Sequence, residues 1–346
     1  MATYNQKIYE PVPKPLPDYY AEIASRTRWN KDNPPNIVFA IGTARTGTTA
    51  SLNVFKGSKA QDSEGQTYDI PVAYQHFKAG LRHAMLGWKE NPNWEFQIPN
   101  APVYYMKDTV GPYTAKESEY NPLKVFEQMG YPMDKIFPVF FYRDPLDSFA
   151  SWIDKWSSIV PRETLFDNFI IAANTLLEIK NEVEVKGIPH ATFLYETIRD
   201  NTPNEAALSL FKKVNQTISV TDNKKIVPTE NTTENWDRLD QEGWKPNQPA
   251  MYEIPRIDRS VHHDAKTKTS WEFKIKTAEK LATIILPSEV KRLEDAGIPQ
   301  IYNEFKLGAQ RTLGLPIDEL RSFEAIKEVF TRQSFEGIPQ RNQTRR

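Results

Sequence analysis

Ile37–Asn53 reads IVFAIGTARTGTTASLN, an apolar run that ends in a Gly- and Thr-rich turn and opens into a helical pattern. The run predicts a buried strand delivering the chain to Gly42, and the turn through Gly47 lets the backbone wrap an anion. The following helix presents free N–H groups and its positive dipole end to that anion. The spacing is that of a P-loop, with Gly42 and Gly47 at the glycine positions and Thr49 at the Ser/Thr position. Thr48 stands where a nucleotide triphosphatase carries lysine, and the nearest cation is Arg45. The pattern points away from Mg-ATP chemistry and toward a phosphate-like group that needs no metal.

Outward from this stretch, the chain alternates strand and helix. Strands are predicted at Asn36–Ile41, Val103–Met106, Ile136–Tyr142 (weakened by Pro138) and Ala191–Tyr195. Helices are predicted at Thr48–Phe55, Tyr74–Met85, Pro145–Trp156, Arg162–Lys186, Asn204–Val214, Thr269–Leu293, Tyr302–Leu313 and Asp318–Phe330. This alternation argues for a three-layer α/β fold, a mostly parallel central sheet covered by helices on both faces. Tyr9–Tyr20 carries proline at alternate positions from Pro11 to Pro17, which favours an extended arm lying on the body. Val227–Pro255, rich in Asn, Pro and Trp, reads as an ordered excursion over the core. Residues 1–35 are accordingly read as a proline-rich arm, 36–335 as one domain and 336–346 as a flexible tail.

Composition narrows the function. Of 346 residues, 44 are Lys or Arg and 45 Asp or Glu, for a formal charge of −1, so no global basic field suggests nucleic acid or an anionic membrane. An anion site must be local. Cysteine is absent, which excludes disulfides, Cys-based zinc sites and thiol nucleophiles. The five histidines lack metal-ligand spacing, and no metal site is expected. No apolar run approaches the ~20 residues that span a bilayer, and the N-terminus lacks a signal-peptide core; a cytoplasmic protein is expected.

A second informative stretch is Phe140–Trp152, FFYRDPLDSFASW. An apolar strand ends at Arg143, and Asp144-Pro145 starts a helix holding Ser148 and Ser151. A cation at a strand's C-terminal end faces the crevice where open α/β sheets bind ligands. Arg143 and Ser151 could hold a second phosphate, Arg giving paired donors. Ordinary helix capping by Asp144 beside an exposed Arg143 explains the same residues.

Together, the loop from Gly42 to Thr49 and the segment from Arg143 to Ser151 resemble the sulfotransferases that use 3′-phosphoadenosine 5′-phosphosulfate (PAPS). The resemblance spans about Asn36 to Trp271, with these two motifs its specific part. It implies that Arg45, Thr46, Gly47, Thr48 and Thr49 bind the 5′-phosphosulfate and that Arg143 and Ser151 bind the 3′-phosphate. The family often has Asn after the arginine, whereas this chain has Asp144, also a good cap. Tyr195, in Phe193-Leu-Tyr-Glu196, is similar to the family's tyrosine near adenine. A late basic segment that closes over the 3′-phosphate in the family corresponds to Val261–Trp271; its Arg-Lys-Gly signature is missing, and Arg259, Lys266 and Lys268 are offered instead.

The resemblance implies sulfuryl transfer from PAPS to a hydroxyl or amine of a small-molecule acceptor, with release of 3′-phosphoadenosine 5′-phosphate (PAP). Negative charge builds on the bridging oxygen as the S–O bond breaks, and fixed cations aimed there stabilise the transition state. Arg45 takes this electrostatic role, and Lys107 falls where some relatives have a sulfate-binding lysine. The acceptor-activating base stays open among Asp69, His76 and Asp108, with Glu64 in the same segment; the histidine that relatives place two positions beyond the lysine is here Thr109. Trp88, Trp94, Tyr104 and Tyr105 either wall an acceptor pocket or pack the core. Two rivals remain: a P-loop kinase or nucleoside triphosphatase, and a non-catalytic PAP- or PAPS-binding protein.

Overall fold

The computed structural model describes residues 14–89, 91–229, 275–320 and 322–336. It opens with helix α1 (Leu16–Ser25), followed by strand β1 (Thr27–Arg28). The extended arm expected over Tyr9–Tyr20 is corrected from Leu16 onward, residues before 14 lying outside the described ones. Pro15 caps α1 and Pro17 lies in its first turn, where a missing N–H costs no hydrogen bond, and Tyr19, Tyr20, Ile23 and Ala24 bury one helical face. Residues 16–25 thus belong to the folded body, against the helices His76–Met85 and Leu123–Gln128.

Strand β2 (Asn36–Thr43) leads through the Gly-rich turn into α2 (Thr48–Lys56). Short strands β3 (Lys59–Gln61), β4 (Thr67–Asp69) and β5 (Val72–Tyr74) precede α3 (His76–Met85), β6 (Phe96–Gln97) and β7 (Val103–Val110). Then come α4 (Ala115–Ser118), α5 (Leu123–Gln128), β8 (Ile136–Tyr142), α6 (Pro145–Trp156), α7 (Arg162–Val185) and β9 (Ala191–Leu194). The remainder is α8 (Thr197–Asp200), α9 (Pro203–Asp222), β10 (Lys225–Val227), α10 (Ala278–Ala282), α11 (Pro287–Asp295), α12 (Ile298–Leu313) and α13 (Ser322–Glu336). The single helix expected over Thr269–Leu293 is, where described, two helices, with Pro287 at the start of the second.

The central sheet has the order β5-β7-β2-β8-β9, and every pairing in it is parallel. Its strands are buried along their whole length, as a sheet covered on both faces requires. On one face Phe55 of α2 stacks on Tyr105 of β7 at 4.2 Å and meets Phe211 of α9 at 5.2 Å. On the other, Phe39 of β2 meets Phe77 of α3 and Phe126 of α5. Pro138 is tolerated in β8 because the β9 ladder begins only at Val139, so one side of the strand is still an edge there. No helix among the described residues is long and apolar enough to cross a membrane.

This order places the ligand crevice. The chain leaves β2 for the β5 edge, returns to β7 on one side of β2, then crosses to β8 on the other. Connections therefore diverge at the carboxyl end of β2, the topological switch point where open α/β sheets bind ligands. The Gly-rich turn lies there.

Candidate functional site

The turn after β2 is tightly built. A Cβ on Gly42 would sit 2.7 Å from both the Phe141 carbonyl oxygen and Thr46 Oγ1, so only glycine fits. Thr46 is fully buried and its hydroxyl donates to the Thr43 carbonyl at 2.8 Å. Its side chain therefore closes the turn rather than facing a ligand, which leaves its backbone N–H for that purpose. Arg45 and Gly47 both have positive φ, 74° and 97°. Gly47 is the N-cap of α2 and no side chain caps that helix, so its first N–H groups keep their capacity for an anion. The loop bends as expected, with Arg45 displayed on its rim.

Arg143, at the end of β8, turns toward this loop. Its Nη1 donates to the Arg45 carbonyl at 3.4 Å, and its guanidinium lies 4.3 Å from the centroid of the Tyr195 ring. Tyr195 in turn packs on the loop: a Cβ added to Gly47 would stand 2.9 Å from its Cδ2. Arg45 Nε donates to Ser151 Oγ at 3.0 Å. Arg45, Gly47, Arg143, Ser151 and Tyr195 are thus one cluster at the switch point. Asp144 does cap α6, accepting from the N–H groups of Leu146 and Asp147. Capping and display go together, because the cap holds the helix start against the strand end that carries Arg143.

Two acidic residues steady this corner. Asp147 pairs with Arg143 and also lies 3.4 Å from Lys276 Nζ. Glu196, buried after β9, accepts the Asp144 N–H at 3.0 Å. Burial, and secondarily Asp144, push its carboxyl up to about 8. Lys276 was not foreseen from sequence; nothing in its local pattern distinguishes it from other lysines, and only the fold brings it to Asp147. Lys266 and Lys268, with Arg259, lie outside the described residues.

On the other side of β2, Lys107 extends from β7 to the start of α2. Its Nζ donates to Thr49 Oγ1 at 3.1 Å and Thr48 Oγ1 at 3.5 Å, and lies 4.0 Å from the Tyr74 ring centroid. Burial, aided by the nearby Lys78 cation, holds its ammonium well below the usual lysine range. Lys107, Thr48 and Thr49 therefore meet at the start of α2. Strand alternation puts Thr109 on the same face as Lys107 and Asp108 on the opposite one.

The base candidates do not converge on that point. Asp69 is on β4 in a separate antiparallel sheet, with its side chain 87% exposed and paired to Lys59. Glu64 is exposed in the turn before it. His76 starts α3 with its ring buried against Phe96, centroids 4.1 Å apart. Asp108 is 0% exposed; its Oδ1 accepts the Lys78 N–H at 3.4 Å and its Oδ2 has no partner among the described residues. Burial raises that carboxyl to about 7. A sequence window cannot separate these cases, because the short β3-β4 hairpin diverts Asp69 while the pleat turns Asp108 away.

Of the aromatic residues considered for an acceptor pocket, Trp94, Tyr104 and Tyr105 are core and Trp88 is half-buried against it. Tyr105 stacks on Phe55 and its hydroxyl lies 2.5 Å from Ser51 Oγ; Tyr104 is buried. Trp88 packs against Trp94 and under the Arg26 guanidinium, and donates to Glu22 of α1. Lys78 and Arg82 were also not foreseen, although a cation pair at i,i+4 in a helix buried on every side was the available signal. Arg82 makes two hydrogen bonds to the Glu117 carboxylate, at 2.7 and 3.1 Å. Scanning protein-family models and curated proteins finds no match to this sequence.

Proposed function

We propose that this chain is a sulfotransferase that moves the sulfuryl group of PAPS to a hydroxyl or amine of a small-molecule acceptor and releases PAP. The observation that carries the reading is the single cluster of Arg45, Arg143, Ser151, Tyr195 and the uncapped α2 N-terminus at the switch point. It offers donors for two anionic groups with an aromatic ring beside them. In this reading Arg143 and Ser151 take the 3′-phosphate, and the loop N–H groups with Thr48 and Thr49 take the 5′-phosphosulfate. Arg45 and Lys107 stabilise the charge that develops on the bridging oxygen.

Charge-assisted hydrogen bonds contribute about 1.5–3 kcal/mol each, so a few such donors supply substantial transition-state stabilisation. The test is calorimetric titration with PAP and with ATP and Mg²⁺, alongside PAP release from PAPS over a panel of phenols, alcohols and amines. Tight PAP binding with acceptor-dependent release supports the proposal, whereas Mg-dependent ATP turnover would replace it with a kinase or nucleoside triphosphatase. The placement of Asp69, His76 and Asp108 away from Lys107 favours one further reading, a PAP-binding protein without transfer activity. Binding without release across the panel is its signature.

A further inference from the structure

Lys107 is a buried cation that no carboxylate pairs with among the described residues. Its Nζ meets instead the hydroxyls of Thr48 and Thr49 and, 4.0 Å from the centroid, the ring of Tyr74. Tyr74 ends β5 and is itself buried, and it pairs in register with Lys107 of β7. Residues paired across parallel strands project from the same face of the sheet, so the backbone itself sets ring and ammonium side by side.

The turn that follows fixes this pairing. Gln75 has φ of 55°, a left-handed backbone uncommon outside glycine, asparagine and aspartate. Its N–H donates to the Lys107 carbonyl at 2.7 Å, and its Nε2 donates to Thr109 Oγ1 at 2.6 Å. The end of β5 is thereby tied to β7 at two points, which keeps Tyr74 beside Lys107.

We infer that Tyr74 is the positioning residue for Lys107, its ring holding the ammonium at the start of α2 where a carboxylate would otherwise be needed. The inference rests on the sulfotransferase reading, in which Lys107 meets negative charge developing on the bridging oxygen. A carboxylate partner would repel phosphosulfate and compete with it for the cation. An aromatic face attracts a cation through its quadrupole while carrying no net charge, and it does so more strongly where water is excluded. Lys107 is thus held in place and still open to an anion.

The charges around Nζ make the ring matter. Burial holds the ammonium well below the usual lysine range; Lys78 of α3 and Arg45 of the loop push the same way, and Asp108 of β7 opposes. From α2 only the neutral hydroxyls of Thr48 and Thr49 reach it. Tyr74 supplies support for the charged form from β5.

The test compares the parent with Tyr74→Phe, Tyr74→Leu and a Tyr74→Phe protein whose ring carries fluorine, all in the full chain. Fluorine withdraws electron density from the ring face and nearly preserves its shape, so this variant reads the contact even if Tyr74→Leu fails to fold. The readouts are kcat/KM for PAPS across pH, and the Lys107 titration by NMR of carbon-labelled lysine, assigned with Lys107→Met. Weakening the ring destabilises the ammonium, so the Lys107 titration and the alkaline fall of kcat/KM should both move to lower pH, by about one unit for Tyr74→Leu. Its kcat should fall roughly 10- to 30-fold, while unfluorinated Tyr74→Phe stays within about twofold of the parent. Lys107 titrating at the parental pH in the folded fluorinated or Leu variant overturns this inference alone, whatever the melting temperature. A parent that binds PAP yet releases none from PAPS overturns the sulfotransferase reading and the transfer role of Tyr74 with it; the NMR titration tells the two failures apart.

Discussion

Arg45 Nε donates to Ser151 Oγ at 3.0 Å, joining the turn after β2 to the second turn of α6 across the crevice. Residues far apart in sequence are brought together because β2 and β8 are adjacent parallel strands whose carboxyl ends open on the same edge. Under the proposed function, one nucleotide carrying a phosphate at each end of its ribose would be gripped from both strands.

Arg143→Ala removes the guanidinium that contacts both the Arg45 carbonyl and the Tyr195 ring. Loss of charge-assisted bonds of about 1.5–3 kcal/mol should weaken PAP binding roughly 10- to 100-fold. Arg45→Ala should instead lower turnover with little change in melting temperature. Calorimetry and rate assays on both variants check the split, and equal effects on affinity and rate from both would contradict it.

Gly47→Ala tests the loop itself. The backbone there has φ of 97°, and the new Cβ would stand 2.9 Å from Tyr195 Cδ2. Left-handed strain costs about 1–2 kcal/mol, and Tyr195 must also move. A lower melting temperature together with weaker PAP binding is expected; unchanged PAP affinity would mean that the Tyr195 contact is irrelevant to the site.

Lys107 should make binding proton-linked. In the free protein burial and Lys78 depress its ammonium, while a phosphosulfate beside Nζ favours the charged form. Between the free and bound pKa values PAPS binding takes up a proton, so affinity falls as pH rises through that window. Titrations in buffers of different ionisation enthalpy measure the uptake, and Lys107→Met should abolish it. Equal apparent enthalpies in all buffers for the parent would rule the linkage out.

Glu196 predicts a pH-dependent gain in stability. Its folded-state pKa, raised to about 8, lies above the unfolded value near 4.5, so the folded state holds the proton more tightly. That contribution is full below the unfolded value and is lost as pH rises toward the folded one. Glu196→Gln keeps an oxygen for the Asp144 N–H without the titration. It should raise the melting temperature more at pH 8 than at acid pH, and a pH-independent difference would contradict this.

Glu117→Gln tests the buried ion cluster. The Glu117 carboxylate serves Arg82 and Lys78 in an environment that is closed to water. Removing one partner of a buried pair typically costs about 3–5 kcal/mol, because it strands the other charge. Denaturant unfolding should show a loss of that size; a change under about 1 kcal/mol would mean that the pair is solvated.

The fold was legible where local physics and tertiary context agree. The apolar run into Gly42 and the Asp-Pro start of α6 each carry their own signal, and α6 matches its expected bounds of Pro145–Trp156. β7 was read too short, to Met106, because Lys107, Asp108 and Thr109 break the apolar pattern of a central strand that runs on to Val110. Those polar residues are tolerated there because each finds a buried partner: Lys107 donates to Thr49, Asp108 accepts the Lys78 N–H and Thr109 accepts from Gln75. The proline-rich start hid α1, since prolines at a helix's beginning look like those of an extended arm. The residues of the proposed nucleotide cradle are visible in the sequence because each half is continuous, and the pairing of β2 with β8 brings the halves together. Gln75, Lys78 and Thr109 meet only through the pairing of β5, β7 and α3, which no single window shows.

The structure of the PAP complex tests the central claim most directly. The account predicts the 3′-phosphate within hydrogen-bonding distance of Arg143 and Ser151, the 5′-phosphate on the backbone of residues 45–49, and the base beside Tyr195. A complex with either phosphate bound away from this edge of β2 and β8 would contradict it.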